Sequence, residues 1–423
     1  SIITPAHKNT PYHKELYDSI LAQTYKNWEW ILWLNNDIKR DLLPEEFEKD
    51  ERVIIYETDN TSKNVGYHKH HAFHKGTGDV LVEVDSDDLI DPKCLQLLNK
   101  AYQDPEVGFA YSDSAIWDDD FVPYNVDHGW THYPYKFRDK ILTTMRTWEP
   151  TSHSLGFIWY APDHVRSWRK DIYHQIGGHK EELSICDDHE LMIRTYMVTK
   201  MYHIKKPLYI YRVTGDNTWI ERNEKIQTET VRLFNENAYA LAERDADLRG
   251  LLKIDMGGGL FPRPGYLTVD QEGADITCNL DEGIPLEDNS VGVLNASHVI
   301  EHLRDPVKTM REIHRVLAHG GWAMIEVPST DGRGAWQDPT HVSFWNEHSF
   351  WYYTDRSKAQ FIRNTDIRFQ TYRLDTWEMQ PHIPCVTAWL VAIKDEKRLP
   401  GICLLYTSPS PRDVEECRMP SSA

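Results

Sequence analysis

The stretch Val80-Leu-Val-Glu-Val-Asp-Ser-Asp-Asp88 decides the fold of the first half of this chain. Its apolar, β-branched start predicts a buried strand, which ends in a run of carboxylates. Because residues two apart in a strand share a face, Asp85 and Asp87 are predicted to point the same way. Paired carboxylates suit Mg²⁺ or Mn²⁺, whose open positions then bind phosphate oxygens. The alternative is an acidic turn that only begins the next helix at Asp91-Pro92.

The composition limits the classes of protein that fit. A length of 423 residues allows two or three domains. The formal net charge of −19 argues against a nucleic-acid partner and against adhesion to anionic membranes. Six scattered cysteines indicate a reducing compartment, so we expect a cytoplasmic protein, and no apolar run is long enough for a transmembrane segment. We expect a fragment without a signal peptide, because the chain begins at Ser1 inside a strand-like segment.

The first 223 residues alternate between strand-like and helix-like segments. This alternation predicts an α/β fold with a parallel sheet, in which ligands bind at the carboxyl ends of the strands. The acids at 85–88 lie at such an end, which is typical of nucleotide-binding domains. The predicted strands are 1–5, 29–34, 52–56 and one that begins at Val80, and the predicted helices are 12–24 and 68–75.

Motifs spread over roughly residues 1–220 resemble the glycosyltransferase family 2 group of the GT-A fold. Their order along the chain is more specific than any single motif. The matching pieces are Ser1-Ile-Ile-Thr-Pro5, Ser19-Ile-Leu-Ala-Gln-Thr-Tyr-Lys-Asn-Trp-Glu29, Asn64-x-Gly66, Asp85-Ser-Asp-Asp88, Trp168-Arg-Lys170, Ile176-Gly-Gly178, Cys186-Asp-Asp-His-Glu-Leu-x-x-Arg194 and Tyr211-Arg212.

The resemblance implies an inverting glycosyltransferase with a nucleotide-sugar donor, a UDP-sugar being favoured, and a glycan or lipid-linked glycan acceptor. Its metal, Mg²⁺ or Mn²⁺, is implied to bind Asp85 and Asp87. The implied catalytic base is Asp188, although the Asp187-Asp188 pair also fits an N-cap of the helix 189–198. Relatives have two acids and a glycine after the second strand, where this chain has Leu34-Asn-Asn-Asp37. The implied nucleotide-sugar-binding residues are Pro5, Asp37, Asn64 and Asp85.

Two further groups of side chains have alternative interpretations. His68, His70, His71 and His74 suggest zinc binding, but no cysteine or acid nearby completes a tetrahedral set, which favours a solvated helix face. The aromatic residues at 130–135 and 159–160 fit stacking on an acceptor sugar and fit ordinary packing equally well.

The second half of the chain begins again with a strand followed by glycines. A helical bridge is predicted at 224–250, and the strand 251–255 then leads into Gly257-Gly-Gly259. A second strand ends at Asp270, where an acid can accept hydrogen bonds from ribose hydroxyls. Roughly residues 251–355 resemble class I S-adenosyl-L-methionine-dependent methyltransferases of the type 11 kind, of Rossmann-like fold. The SAM-binding residues implied are Asp255, Gly257, Gly259, Asp270 and His298.

The segment His298-Val-Ile-Glu-His302 also matches the His-x-x-Glu-His metalloprotease motif. That interpretation requires one continuous helix, whereas the segment follows a strand-like run and has methyltransferase-like motifs on both sides. Residues 338–344 and 350–351 are predicted to form a lid or acceptor loop, or part of the core. Residues 368–393 are predicted to form the last strands of the second sheet.

Taken together, the motifs predict a bifunctional, metal-binding enzyme of polysaccharide biosynthesis. The predicted domains are a GT-A glycosyltransferase at 1–223, a helical linker at 224–250 and a methyltransferase-like domain at 251–395. The tail 396–423 is expected to be non-native from about residue 404, where it resembles translated vector sequence. The alternative is a glycan-binding or scaffold protein whose methyltransferase-like half is inactive.

Overall fold

The computed structural model describes residues 1–35, 38–60, 62–118, 131–157, 161–214, 217, 222–364 and 366–394. The chain divides into two compact units, Ser1–Asn237 and a second that begins at Ala238. Asp37, the aromatic pair at 159–160 and the tail 396–423 lie outside the described residues. Among the residues described, no helix combines the length and apolar character that crossing a bilayer requires.

The first unit consists of a single large sheet with helices around it. Its strands are β1 (Ile2–Ala6), β2 (Trp30–Leu34), β3 (Val53–Glu57), β4 (Val80–Glu83), β5 (Leu89–Ile90), β6 (Val107–Trp117), β7 (His132–Phe137), β8 (Lys140–Met145), β9 (Arg166–Arg169) and β10 (Lys200–Arg212). Its helices are α1 (Tyr12–Leu21), α2 (Glu45–Lys49), α3 (Val65–Phe73), α4 (Cys94–Ala101), α5 (Ser154–Phe157), α6 (Lys170–Gln175) and α7 (Asp187–Val198), and Arg40–Leu42 is a 3₁₀ turn.

The sheet is parallel only in part. Its order is β3-β2-β1-β4-β9-β6-β10-β5, and the first four of these strands run parallel to one another. Strand β9 then pairs antiparallel with both β4 and β6, so the predicted parallel sheet is found in the first four strands and the sheet is mixed beyond β4. The insertion of β9 between two parallel strands brings the chain just before it to the carboxyl end of β4.

The core of the first unit explains why the apolar runs form strands. Ile2, Leu32 and Val82 come from three neighbouring strands and are buried in one hydrophobic cluster. Leu16 and Ile20, four residues apart on α1, belong to the same cluster, as the helical spacing predicts. Burial of such side chains contributes about 1.5–3 kcal/mol each.

Helix α8 (Asn223–Leu248) begins in the first unit and ends in the second. It confirms the helix predicted after residue 223, and it ends just before Gly250, whose φ of +64° is left-handed. In the first unit, the backbone oxygen of Ile226 lies 3.7 Å from the sulfur of Cys186. In the second, Tyr239 donates a hydrogen bond to Asn295. The domain boundaries given above stay a prediction.

The second unit contains a seven-stranded sheet in the order β13-β12-β11-β14-β15-β17-β16 among the described residues. The strands are β11 (Leu252–Met256), β12 (Leu267–Asp270), β13 (Ile276–Thr277), β14 (Val291–Ser297), β15 (Leu317–Pro328), β16 (Phe369–Gln380) and β17 (Ile383–Ala392). The helices are α9 (Pro306–Val316), α10 (Gly334–Gln337), α11 (Glu347–Thr354) and α12 (Arg356–Ala359), with 3₁₀ turns at Ile300–His302 and Gln360–Ile362.

Local sequence signals fix the main helices of this unit. The side chain of Asp305 caps α9 by accepting hydrogen bonds from the amides of Val307 and Lys308. Pro306 occupies the first helical position. Asn346 and Ser349 form a capping box at the start of α11. Strands β11 to β15 are parallel and β16 and β17 antiparallel to their neighbours, so both predicted final strands are present.

Candidate functional site

The acids that follow β4 lie in a turn rather than on a strand. The strand ends at Glu83, and the amide of Asp88 donates to the backbone oxygen of Asp85 at 3.3 Å. Strand alternation therefore does not set the directions of Asp85 and Asp87, and that part of the prediction is wrong. The residue two before Asp85 on the strand is Glu83, which is fully buried.

Glu83, Asp85 and His164 form a group whose potential ligand atoms all lie within 4.8 Å of one another. His164, just before β9, places Nε2 3.7 Å from Oδ2 of Asp85. Two carboxylates and an imidazole are donors that Mn²⁺ accepts, and Mg²⁺ prefers the oxygens. These residues fit the metal that the sequence implies. Asp87 is not part of this group; its backbone oxygen accepts from Arg212 at 2.9 Å.

Asp88 has a structural role. Its side chain is buried and accepts from the backbone amide of Arg212 at 2.7 Å. Burial raises the pKa of Asp88 well above its usual value, and the negative charges of Asp87 and Asp85 add to this effect. The buried side chain of Asp88 is thus bound to the backbone of β10, which separates it from the other acids of the turn.

A buried set of charges surrounds the same strand end. Lys69 of α3 lies 2.6 Å from Glu83 and 3.5 Å from Asp187. Arg166, only 1% exposed at its side chain, lies 2.6 Å from Oδ2 of Asp188 and 3.8 Å from Glu83. Two cations and three acids therefore share one interior site, where each charge depends on its partners.

These contacts separate the pKa values of the acids. Burial opposes ionisation of Glu83, but the charges of Lys69 and Arg166 outweigh it and lower its pKa to about 2. Burial also opposes ionisation of Asp188, but the charges of Arg166 and, to a smaller extent, Lys69 outweigh it and hold the pKa of Asp188 well below its usual range. For Asp187, burial prevails over the charge of Lys69 and raises the pKa to about 6.

Asp187 and Asp188 occupy the first turn of α7. The residue at the N-cap position is Cys186, whose φ of +54° is left-handed, so the interpretation of the two acids as N-caps is wrong. Oδ1 of Asp188 accepts from the amide of His189 at 2.8 Å, and its side chain is 21% exposed. Asp188 thus presents part of an ionised carboxylate to solvent, while Asp187 is buried.

Pro5 and Asn64 lie at the ends of other elements of the first unit. Pro5 pairs with Trp33 near the carboxyl end of β1, and Asn64 directly precedes α3. Gly66, in the same motif as Asn64, has no room for a side chain because a Cβ there would lie 2.0 Å from the backbone oxygen of Lys180. Packing accounts for this glycine, and donor contacts by Pro5 and Asn64 stay predictions.

The histidines of α3 do not form a solvated face. His68 is buried, with Nε2 2.9 Å from the backbone oxygen of Ser62, and only His74 among the four is exposed. His70 bonds the backbone oxygen of His179 at 2.9 Å, and His71 lies 3.3 Å from Glu181. These histidines connect α3 to the loop before α7.

In the second unit, Asp255 is held by its own chain. Its Oδ1 accepts from Asn295 at 2.7 Å and its Oδ2 from the amide of Arg263 at 2.8 Å. A Cβ at Gly258 would lie 2.3 Å from that Oδ2, so this glycine allows the loop to fold onto Asp255. The loop packs against the carboxylate that ends β11.

Gly259 and Asp270 make the second contact of this loop. The amide of Gly259 donates to Oδ2 of Asp270 at 2.9 Å, and Asp270 is half-buried at the end of β12. Gly257 has a φ of +81° and approaches Val299 closely. A carboxylate has about four acceptor positions, so Asp270 keeps capacity for ribose hydroxyls, and the residues fit SAM in this respect.

His298 follows β14 with a left-handed φ of +53°. Its Nδ1 lies 3.6 Å from Glu301, and the nearby carboxylate of that acid raises the pKa of His298. The segment from His298 to His302 contains only the 3₁₀ turn Ile300–His302. The continuous helix that the metalloprotease motif requires is absent from it, in agreement with the methyltransferase interpretation.

Comparisons with known proteins bear on both units. Residues 1–160 match the model of glycosyl transferase family 2, and residues 265–325 match that of a methyltransferase domain. The chain joins a family 2 glycosyltransferase domain to a methyltransferase domain. The matched spans are shorter than the 1–220 and 251–355 over which motifs were found.

Curated relatives include proteins named for glycosyl transfer and for O-antigen synthesis. Glycosyltransferase GlyA of Streptococcus pneumoniae is 21% identical over 277 residues, which are 61% of this chain and 38% of the relative. O-antigen biosynthesis protein RfbC of Myxococcus xanthus is 24% identical over 249 residues, 56% of this chain and 18% of the relative. The chain thus spans well under half the length of these relatives.

Solved structures of low similarity include two glycosyltransferases. TarS of S. aureus aligns at 15% identity with a TM-score of 0.43, covering 62% of this chain and 44% of TarS. The mannosyltransferase PcManGT of Pyrobaculum calidifontis, in complex with GDP-Man and Mn²⁺, aligns at 17% identity with a TM-score of 0.39, covering 59% of this chain and 73% of PcManGT.

Sequence reasoning missed four residues of the glycosyltransferase domain that surround the acids. Glu83, Lys69, His164 and Arg166 all lie in or beside the buried charges described above. One signal was available, since Glu83 is an acid inside an apolar strand and two residues before Asp85. The other three come from distant segments, and only the antiparallel insertion of β9 brings His164 and Arg166 close.

Proposed function

We propose that the first unit transfers a sugar, with inversion, from a nucleotide-sugar donor to a hydroxyl of a glycan or lipid-linked glycan. One observation carries this proposal: a single short segment approaches both acids that the reaction needs. His164 lies 3.7 Å from Asp85, and Arg166, two residues later, lies 2.6 Å from Asp188. A metal at Asp85 would neutralise the leaving diphosphate, whereas Asp188 would receive the acceptor proton.

Within this proposal each side chain has a separate task. Asp85, with Glu83 and His164, would hold the divalent ion, and Asp87 stays a proposed ligand. Arg166 keeps Asp188 ionised and binds its Oδ2, while Oδ1 accepts from the amide of His189; the exposed part of the carboxylate would take the acceptor proton. The low pKa of Asp188 makes it a weak base, so its help comes late, when the attacking oxygen already carries positive charge.

Asp187 is the rival base because its pKa of about 6 suits proton transfer better, although the side chain is buried. Replacing each acid by asparagine separates the two assignments. We expect Asp188→Asn to lower transfer by a factor of about 10²–10⁴, as loss of a general base does, and Asp187→Asn to lower it less. The reverse order would assign the base to Asp187.

The first experiment is a screen of nucleotide-sugars with the full chain, which follows release of the nucleoside diphosphate with Mn²⁺, with Mg²⁺ and with chelator. We expect one class of donor, a UDP-sugar being favoured, to react only with metal present. Asp85→Asn should abolish the reaction, and the exposed Asp171→Asn in α6 serves as the matched control. No metal-dependent turnover of any donor would favour a glycan-binding protein.

We further propose that the second unit binds S-adenosyl-L-methionine and methylates a sugar. The cofactor would supply a methyl group on a sulfonium that leaves readily, so the protein need only align donor and acceptor. Asp270 would accept from the ribose hydroxyls, and Asp255, Gly257 and Gly259 would shape the loop beside it. His298, at the end of β14, would lie beside the bound cofactor.

The loop contacts to Asp255 and Asp270 favour the rival possibility that this unit is an inactive scaffold. Calorimetry with SAM decides between them. We expect saturable binding that Asp270→Ala abolishes and that Glu272→Gln, an exposed acid two residues away, leaves unchanged. Absence of binding heat would assign the unit as a scaffold.

We place these reactions in the cytoplasm. The four cysteines within the described residues are free, at positions 94, 186, 278 and 385, as is usual in a reducing compartment. Fractionation of the native host, with the chain detected by antibody, tests this location.

A further inference from the structure

We propose that Glu301, His302 and His341 bind a divalent transition metal at a second cation site, in the methyltransferase domain. The potential ligand atoms of these three residues lie within 4.8 Å of one another. Two imidazoles and one carboxylate form a ligand set that binds such ions and leaves positions open for water or a substrate oxygen. Nothing in the proposed methyl transfer accounts for this group.

Backbone hydrogen bonds hold the two contributing segments together. The backbone oxygen of Glu301 accepts from the amides of Val342 at 2.9 Å and Ser343 at 3.0 Å. The hydroxyl of Ser343 also donates to the backbone oxygen of Ile300 at 2.9 Å. The loop that carries His341 is thereby fixed against the turn that carries the other two residues. A site on such a support needs little reorganisation to bind an ion.

Both histidines have their second ring nitrogen committed to a backbone carbonyl. Nδ1 of His341 lies 3.0 Å from the backbone oxygen of Ala335, and Nδ1 of His302 lies 3.3 Å from that of Thr340. Nδ1 of His302 also lies 3.1 Å from the Thr340 hydroxyl, which itself donates to Asp338 at 2.6 Å. These partners all accept, so we assign the proton to each Nδ1, which leaves a lone pair on each Nε2. Metal-binding histidines are usually oriented in this way. Nε2 of His341 lies 4.0 Å from Oε1 of Glu301.

The carboxylate of Glu301 lacks a strong partner. Its side chain is only 4% exposed, and Oε2 is buried with no hydrogen-bond partner within the described ranges. Two imidazoles approach Oε1, His298 at 3.6 Å and His341 at 4.0 Å, both longer than a hydrogen bond. A buried carboxylate is costly unless a cation or metal neutralises it, and a bound ion would do so.

The geometry needs only a small contraction to enclose an ion. Ligand atoms about 2.0–2.1 Å from one tetrahedral ion lie about 3.3 Å apart. The three residues place their ligand atoms within 4.8 Å of one another, and Nε2 of His341 lies 4.0 Å from Oε1 of Glu301. Rotation of side-chain torsions supplies such a change. His302 is exposed, so the open coordination position would face solvent on its side. The site differs from that of a helical metalloprotease, because His341 takes the place that the motif gives to His298.

The test is a titration of the full-length, chelator-treated protein with Zn²⁺ by calorimetry and with Co²⁺ by visible absorption. Both use an Asp85→Asn background, which removes the candidate cation group of the first unit. We expect one equivalent bound more tightly than about 10 µM, with Co²⁺ bands of nitrogen and oxygen ligation. Glu301→Gln and His341→Ala should each weaken binding at least about tenfold, while the exposed His348→Ala in α11 should not.

Glu301→Gln keeps the backbone bonds that fix the loop, and His302→Ala changes an exposed residue, so at least one variant should remain folded by circular dichroism. Weakened binding in a folded variant supports the proposal. Absence of saturable binding in the parent protein overturns it, as does equal affinity in the folded variants. Co²⁺ absorption typical of thiolate ligation would also overturn it by assigning the ion to cysteine. None of these readouts depends on SAM binding.

Discussion

The pairing of Arg166 with Asp188 yields a prediction that needs no substrate. Arg166→Gln removes the cation 2.6 Å from Asp188 and 3.8 Å from Glu83, which leaves the buried Glu83 and the partly buried Asp188 with Lys69 as the remaining nearby lysine or arginine. An opposite charge at this range lowers the pKa of an aspartate by about 1–3 units, equivalent to about 1.4–4 kcal/mol. Since breaking a buried pair costs about 3–5 kcal/mol, we expect the free energy of unfolding to fall by that amount.

A double-mutant cycle with Asp188→Asn measures the pair itself. Calorimetric unfolding of wild type, both single variants and the double variant should give a coupling energy of at least about 1.4 kcal/mol at about pH 7. The folded pKa of Asp188 is lower than its unfolded value. The coupling is therefore complete above about pH 4 and is lost as pH falls through the folded pKa.

Arg169 provides the matched control for this cycle. It lies on the same strand, but its guanidinium donates to the backbone oxygens of Val107, Tyr102 and Asp104 at 3.0–3.2 Å. The effects of Arg169→Gln and Asp188→Asn on the free energy of unfolding should be additive within about 0.5 kcal/mol. Additive effects of Arg166→Gln and Asp188→Asn at about pH 7 would refute the claim that Arg166 sets the ionisation of Asp188.

Two further predictions concern stability alone. Gly66→Ala should lower the free energy of unfolding by about 3 kcal/mol, because its Cβ would overlap a facing carbonyl. Gly177→Ala, whose Cβ meets nothing within 4 Å, should lower it by only about 1 kcal/mol, because φ there is left-handed. Similar urea midpoints for the two variants would contradict this. His203 lies 2.8 Å from Asp113 and 3.1 Å from Glu149, and their hydrogen bonds outweigh burial and raise its pKa. The contribution of His203 to the free energy of unfolding is therefore complete below about pH 6.5 and is lost as pH rises through the raised pKa. The melting temperatures of His203→Gln and wild type should thus differ most in acid. A difference in melting temperature that increases in alkali would exclude this account.

The sequence predicted those elements that local chemistry determines. The β-branched run from Val80 became β4, and the helical spacing of Leu16 and Ile20 became the buried face of α1. The acids after Val84 follow the carboxyl end of β4, as the sequence predicted. Their pairing by strand alternation failed because the strand ends at Glu83 and the acids follow in a turn. An argument from strand alternation depends on where the strand ends, and local sequence predicts strand ends poorly.

Tertiary pairing accounts for most of what was missed. Arg166 and Lys69 carry no motif, and each acquires its role from acids that are distant in sequence. The early start of α7 depends on a left-handed Cys186, a conformation that its residue type does not suggest. In the methyltransferase domain, SAM binding by Gly257 and Gly259 stays a prediction, and the amide of Gly259 donates to a carboxylate of its own chain.

The charged residues around Glu83 depend on one another, and this limits which substitutions the site tolerates, whether engineered or natural. Because Lys69, Glu83, Arg166, Asp187 and Asp188 balance one another in the interior, a single charge-changing substitution loses stability before any new specificity can be selected. Libraries that vary one position at a time would discard such variants as unfolded. Substitutions among these residues should therefore exchange partners in pairs that conserve the total charge.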